Sequence, residues 1–94
     1  MRLKEKEKQV IIQAVKSIDS NARLYLFGSR VDDSRKGGDI DLLVFSDEMT
    51  YGDKLKIKKS IFTAIEDQKV DLFVSKDADN PFVKMALEQG VRLA

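Results

Sequence analysis

The sequence predicts one small domain of the α/β (α+β) class, with helices packed on a mixed sheet of about three or four strands. Short apolar segments bounded by glycine or polar residues predict the strands. Longer segments with apolar residues at helical spacing lie between them and predict the helices. The resulting order is α-β-α-β-α-β-α, and the 94 residues allow one domain, 1–94, with a modest core.

The first part of the chain predicts a helix, a strand and a short second helix. The first helix covers about residues 3–18, where apolar residues recur at helical spacing. The strand covers 22–27, because this short segment is apolar and aromatic and ends at Gly28. A short helix and then a loop are predicted to follow, up to Gly38. The apolar stripe of the first helix comprises Val10, Ile11, Ala14, Val15 and Ile18.

The middle of the chain contains the clearest strand, over residues 39–45. Its even-numbered positions are apolar throughout, whereas its odd-numbered positions begin with two acids and then become apolar. A loop over 46–52 and a second helix over 53–67 are predicted to follow. The inward-facing residues of that helix are predicted to be Ile57, Ile61, Ala64 and Ile65.

The last part of the chain predicts a third strand over 70–74 and a final helix. That helix begins at Asn80-Pro81, because asparagine is a good helix cap and proline suits the first turn. Gly90 is predicted to end it. Its inner face is predicted to comprise Val83, Ala86 and Leu87.

Composition excludes several classes of function. Lys and Arg total 17 against 16 Asp and Glu, and this near balance disfavours a general nucleic-acid-binding or membrane-surface protein. The absence of cysteine and histidine rules out disulfides, the usual zinc sites and histidine general-base chemistry. Any bound metal must therefore be held by oxygen ligands. Because no signal peptide and no membrane-length apolar run is present, we expect a cytoplasmic protein.

Two aspartates open the strand at 39–45, and a third opens the strand at 70–74. Residues two apart in a strand point to the same side, so the Asp39 and Asp41 carboxylates project together. Their like charges repel, and a divalent cation between them would remove that conflict. If the strand of Asp71 lies beside theirs, a third carboxylate joins the cluster. One such acid is usually an ordinary strand-end residue, but the three together favour a metal site.

A second candidate feature is the turn Gly28-Ser29-Arg30, which follows the first strand and opens a helix. Glycine lets a ligand approach the backbone closely, and a new helix offers unpaired N–H groups to an anion. The Ser29 hydroxyl and the Arg30 guanidinium add donors for phosphate. Taken alone, such a turn is more often a plain strand-to-helix connection capped by serine. Arg35 and Lys36, further along, are expected on the loop surface.

Together the two features resemble the signature of the DNA polymerase β-like nucleotidyltransferases. Nine residues separate Gly28-Ser29 from Asp39-Ile40-Asp41, and Val70-Asp71-Leu72 is similar to the third-carboxylate strand of that family. The longer string over residues 27–44 resembles the minimal nucleotidyltransferases, which are typically antitoxins paired with HEPN-domain toxins. The likeness covers nearly the whole chain. It departs at Gly38, where family members often carry serine.

The resemblance implies a nucleotidyltransferase fold and a Mg²⁺-dependent transfer of a nucleoside monophosphate, with ATP as the co-substrate and two metal ions possible. It implies that Asp39 and Asp41 hold Mg²⁺, and that Asp71 completes the second metal site and helps deprotonate the acceptor. The nucleotide would be bound by Gly28, Ser29 and Arg30. The chain is too short to encode a second pocket wall. A protein partner, by resemblance a HEPN toxin, would therefore complete the site and receive AMP on a tyrosine, and both a hetero-oligomer and a homo-oligomer stay open.

Three alternatives stay open at the level of sequence. The domain could neutralise its partner by occlusion without catalysis, using the apolar stripes of its first and last helices. A lysine cluster on the second helix could bind nucleic acid, although a solvated helix face accounts for it better. An Asp-x-Asp motif also occurs in sugar-nucleotide glycosyltransferases, for whose fold this chain is too short. The lysine cluster comprises Lys54, Lys56, Lys58 and Lys59.

Overall fold

A computed structural model describes residues 3–31, 39–65, 69–77 and 79–94, with Ser29 described by its backbone alone. No helix in these ranges is long and apolar enough to cross a bilayer. The predictions for Arg35, Lys36 and Gly38 lie outside the described residues. The elements are α1 (Glu5–Ile18), β1 (Arg23–Phe27), a 3₁₀ turn (Gly28–Val31), β2 (Ile40–Phe45), α2 (Tyr51–Ala64), β3 (Val70–Ser75), α3 (Pro81–Gln89) and β4 (Val91–Arg92).

The strands form one mixed sheet in the order β3-β2-β1-β4. β2 pairs in parallel with β3 and antiparallel with β1, and β4 pairs antiparallel with β1. The predicted small mixed sheet is therefore confirmed. β4 is an addition to the predicted elements, because two residues are too few to show an alternating pattern. Beyond it, the Leu93 N–H donates to the Leu24 carbonyl at 2.8 Å and ties the end of the chain to β1.

Helices cover both faces of the sheet. The alternation in β2 decides which residues face which layer: Ile40, Leu42 and Val44 are fully buried in a core shared with α1 and α2. The odd-numbered Leu43 and Phe45 belong to a second buried cluster with α3. The acidic residue of β2, Asp41, therefore lies on the α3 face. The helix residues that fill these cores are Ile11, Val15, Ile57 and Ile61 on one face and Val83 and Ala86 on the other.

The second helix begins two residues before the predicted start. Thr50 caps it, because its Oγ1 accepts from the Asp53 N–H at 3.1 Å while Asp53 Oδ2 accepts from the Thr50 N–H at 3.0 Å. The helix ends at Ala64 rather than at 67, since Ile65 already has an extended backbone. Ala64 is exposed, which corrects the predicted inward position. Ile18 in α1, 36% exposed, is a similar correction.

Gly90 ends α3 as predicted, but for a different reason. Its backbone is extended, with φ −87°, so no left-handed cap is formed. A Cβ at this position would fall 2.8 Å from the Leu26 carbonyl oxygen and still closer to the Ala86 carbonyl oxygen. The glycine therefore allows the end of α3 to approach the backbone of β1 closely.

Candidate active site

Asp41 lies at the centre of a row of residues that crosses three neighbouring strands. Its partner on the antiparallel strand β1 is Phe27, and its partner on the parallel strand β3 is Asp71. Neighbouring strands lie about 4.8 Å apart, and paired residues point to the same face of a sheet. The Asp41 and Asp71 side chains therefore project next to each other on the α3 face, where the sheet register brings them together.

The Asp41 carboxyl is crowded by other carboxyls. Partial burial raises its pKa, and the charges of Asp71 and Asp39 and a hydrogen bond with the Asp71 carboxyl raise it further. The nearby Lys69 has the opposite effect. Burial and the neighbouring carboxyls thus disfavour the charged form of the Asp41 carboxyl. A cation placed between the Asp41 and Asp71 carboxyls would offset the repulsion between them.

Asp39 lies just before β2, two residues ahead of Asp41, and forms an ion pair with Lys69. The Lys69 Nζ is 3.7 Å from Asp39 Oδ2, and both side chains are substantially exposed. Such an exposed pair contributes at most about 1 kcal/mol. The Ile40 N–H donates to the Lys69 carbonyl at 2.9 Å and fixes this residue beside the start of β2. The sequence analysis does not name Lys69 as a site residue. Its position two residues before Asp71 is the feature that could have indicated it.

Gly28 brings the backbone of the 3₁₀ turn directly against the Asp41 carboxylate. Its φ is +78°, a conformation that favours glycine. A Cβ built on Gly28 would overlap Asp41 Oδ2 and lie 3.2 Å from Cγ. The close contact at this glycine is with Asp41, and the predicted approach of a ligand to its backbone stays a prediction.

The predicted short helix after Gly28 is a single 3₁₀ turn within the described residues. It ends at Val31 and includes the backbone of Ser29 and the half-buried Arg30. A turn of this length offers a few backbone N–H groups but little of the dipole of a longer helix. Phosphate binding here would therefore depend on individual N–H donors and on the Arg30 guanidinium.

The described residues contain no group of three or more acidic, His or Cys side chains arranged to hold a metal ion alone. Asp41 and Asp71 are register partners on neighbouring strands, while Asp39 is paired with Lys69. Magnesium sites in proteins commonly use one or two carboxylates, and substrate phosphates and water complete the coordination. The donor set at this site fits that kind of metal.

Comparisons with known proteins point to one family and one fold. Residues 9–94 match the family described as Polymerase beta, Nucleotidyltransferase. A chain from the complex of tri-AMPylated Shewanella oneidensis HEPN toxin with MNT antitoxin is similar at a TM-score of 0.71 and 22% identity, and the match covers 94% of this chain and 69% of that one. A chain from a mutant MntA–HpeT toxin–antitoxin complex gives a TM-score of 0.74 at 21% identity, covering 93% and 71%. At these identities the likeness concerns the fold. The comparison with curated proteins gives no significant match.

Proposed function

Because the chain belongs to the polymerase β nucleotidyltransferase family, we propose that it transfers AMP from ATP to a protein acceptor in a Mg²⁺-dependent reaction. One observation carries the proposal. The carboxyls of Asp41 and Asp71 are side by side beneath the Gly28 turn, with Asp39 two residues away. This arrangement suits the binding of a nucleoside triphosphate together with its metal ion.

Asp41 and Asp71 would hold Mg²⁺, and Asp39 would exchange its Lys69 partner for the metal. When bound, Mg²⁺ would neutralise charge on the phosphates and on the attacking and leaving oxygens. Burial and the neighbouring carboxyls raise the Asp41 pKa, and the charge of a cation bound there would favour the ionised carboxyl again. The backbone N–H groups after Gly28 and the Arg30 guanidinium bind the phosphate oxygens.

The chain then orients an acceptor hydroxyl for attack on the α-phosphorus. A new bond forms between the acceptor oxygen and this phosphorus, while the bond to the β-phosphate breaks and pyrophosphate leaves. Asp71 accepts the hydroxyl proton, because its carboxyl lies beside that of Asp41 at the reacting centre. Most of the rate enhancement comes from positioning and charge stabilisation, as in other phosphoryl-type transfers.

We further propose that the acceptor is a tyrosine of a HEPN-domain partner, with which this chain forms a cytoplasmic toxin–antitoxin pair. Two observations support the pairing. The fold-matched chains come from complexes of toxins with antitoxins, and one of those toxins is AMPylated. In addition, Asp71 lies on β3, which is an edge strand among the strands that the structure describes, and a partner polypeptide could complete the site from that edge.

The direct test is a transfer assay with the purified chain, its HEPN partner, ATP and Mg²⁺. Intact-mass spectrometry should show the partner gaining the mass of an adenylyl group (AMP less one water), and the Asp39→Ala variant should give little or none. Asp47→Ala is the matched control, because Asp47 is exposed beyond the far end of β2 and should leave transfer unchanged. No mass gain with the unmodified chain, or an equal gain with Asp39→Ala, would refute the proposal.

The second candidate is neutralisation by occlusion, which a surface feature of α2 favours. The stripes suggested by sequence on the first and last helices are mostly core, as Ile11 and Val83 illustrate. In contrast, Tyr51, Leu55 and Phe62 fall within about 40° of one another around α2 and are 72%, 48% and 77% exposed. A toxin still inhibited by the double variant Asp39→Asn, Asp41→Asn, but not by Phe62→Ser, would favour occlusion.

A further inference from the structure

An aromatic cluster lies beside the carboxylates and has no part in the mechanism above. We use this name for Phe27, Phe73 and Phe82. The ring centroids of Phe73 and Phe82 are 5.1 Å apart, and Phe27 lies 5.8 Å from Phe73 and 5.6 Å from Phe82. Phe73 follows Asp71 by two residues on the same face of β3, about 6.5–7 Å further along the strand. The cluster therefore begins one strand step away from the proposed metal ligands.

Two rings of the cluster are left partly open to solvent. Phe27 is buried, whereas Phe73 is 41% and Phe82 38% exposed. A cavity of about 220 Å³ adjoins these two rings. Leu43 and Val83 add apolar surface to it, and Asn80 and Lys54 add polar groups. The cavity thus combines flat aromatic surface with a few groups that can form hydrogen bonds.

We propose that this cavity receives the adenine base of the bound ATP. The inference rests on the proposed function, because the phosphates must be held at Asp41 and Asp71. In a nucleotide one ribose separates the base from the α-phosphate, a span comparable to the step from Asp71 to Phe73. Aromatic side chains that offer a free face are common platforms for nucleobases.

Asn80 supplies a way to hold the edge of that base. Its Oδ1 accepts from the Phe82 N–H at 2.8 Å and caps α3, so this contact orients the amide. The amide Nδ2 has no acceptor among the described residues and can donate to a ring nitrogen or carbonyl of the base. A purine gains more than a pyrimidine here, because it overlaps a larger area of the two rings.

Calorimetric titration of the full chain separates the contribution of the base from that of the phosphates. The probes are Mg·ATP, Mg·UTP and magnesium tripolyphosphate, and the variants are Phe73→Leu and Phe82→Leu. We expect each variant to bind ATP about tenfold more weakly and to bind tripolyphosphate unchanged. UTP should bind the unmodified chain several-fold more weakly than ATP. Phe62→Leu is the matched control, since this ring lies on α2 at the opposite face of the sheet and should change neither affinity.

Unchanged ATP affinity in both variants would overturn the inference. If the same variants also lose modification of the partner, the cavity would be assigned to the partner polypeptide instead. If the unmodified chain binds neither ATP nor tripolyphosphate, the proposed function itself fails. Should the variants fail to fold, titration of the unmodified chain with adenosine gives an independent result. Shifts of the Phe73 and Phe82 ring signals in NMR spectra support the inference, and their absence refutes it.

Discussion

A side chain at position 28 would collide with the carboxylate of Asp41. Gly28 directly follows Phe27, which is the β1 partner of Asp41, and its φ of +78° turns the chain over that carboxylate. The glycine and the aspartate are therefore one structural unit. Replacing the first should disturb the second, even though twelve residues separate them in the sequence.

Gly28→Ala should lower both stability and nucleotide binding. A left-handed backbone costs a non-glycine residue about 1–2 kcal/mol, and the overlap with Asp41 adds to this. Thermal unfolding should show a decrease in Tm, and calorimetry should show weakened Mg·ATP binding.

Gly52→Ala provides the matched control for that change. Gly52 lies in α2, where an added Cβ would meet only Thr50 Oγ1, at an ordinary 3.7 Å. Alanine in a helix is favoured over glycine by up to about 1 kcal/mol. Gly52→Ala should therefore leave Tm unchanged or raise it. Equal losses for both variants would contradict the specific role of Gly28.

Asp41→Asn should stabilise the metal-free protein at neutral pH. Because burial and the charges of Asp71 and Asp39 raise the Asp41 pKa, the native state binds this proton more tightly than the unfolded state does. Stability is therefore lost as the pH rises from about 3.8 through the raised pKa of the folded protein, and the loss persists above it. The amide has no such penalty, so Tm should rise and depend less on pH across this window.

The exposed Asp47→Asn variant serves as the comparison for Asp41→Asn in the same thermal melts. It should follow the pH dependence of the unmodified chain. A lower Tm for Asp41→Asn at neutral pH would show that Asp41 stabilises the fold and would contradict the account of a crowded carboxyl.

At the other end of the sheet, Asp19 and Ser46 should stabilise the fold together. Asp19 is only 8% exposed, and its Oδ2 accepts from the Ser46 hydroxyl at 2.5 Å. The Ser46 Oγ in turn accepts from the Met49 N–H at 3.1 Å. This network joins the turn after α1 to the loop after β2. Ser46→Ala and Asp19→Asn should each lower Tm, and a double-mutant cycle should give a clear coupling.

The same pair should affect acid stability. The hydrogen bond from Ser46, followed by that from the Asn21 N–H, lowers the Asp19 pKa below its usual 3.8. A lowered pKa stabilises the protein at pH values above 3.8, and this stabilisation is lost as the pH falls through the pKa of the folded state. Ser46→Ala should therefore weaken the acid dependence of unfolding. An unchanged acid transition would contradict this assignment.

Thr50→Ala should destabilise the second helix. The hydroxyl caps α2 by accepting from the Asp53 N–H, and loss of such a cap costs about 1 kcal/mol. Thr63→Ala is the control in the same helix, where the hydroxyl bonds back to the Lys59 carbonyl at 2.8 Å. Alanine is the better helix former there, so this change should be neutral or slightly stabilising. Urea unfolding curves compare the two.

Alternation within β2 was enough to predict the faces of the central strand. Apolar even-numbered positions indicated a buried face, and Ile40 and Leu42 are fully buried there. The same pattern separated Asp41 from that core. The sequence could not supply the strand neighbours, because pairing of β2 with β3 depends on packing across the whole sheet. The sequence predicts that Asp71 joins Asp39 and Asp41 only if its strand lies beside theirs. The register of β2 with β3 meets this condition and places Asp71 opposite Asp41.

Other features of the site depended on contacts that sequence patterns do not encode. Lys69 is brought to Asp39 by a backbone hydrogen bond at the start of β2. The ring of Phe82 meets that of Phe73 only because α3 folds back over the sheet. The sequence predicts that α2 ends at residue 67, which is too late. Ile65 continues the apolar spacing, but the helical backbone has already stopped at Ala64.

Calorimetric titration with ATP, in the presence and absence of Mg²⁺, tests the central claim most directly. The account predicts binding that requires Mg²⁺ and is weakened at least about tenfold by Asp41→Asn and by Asp71→Asn, since each change removes one of the two neighbouring carboxyls. Binding that needs no divalent cation, or that survives both substitutions unchanged, would contradict it.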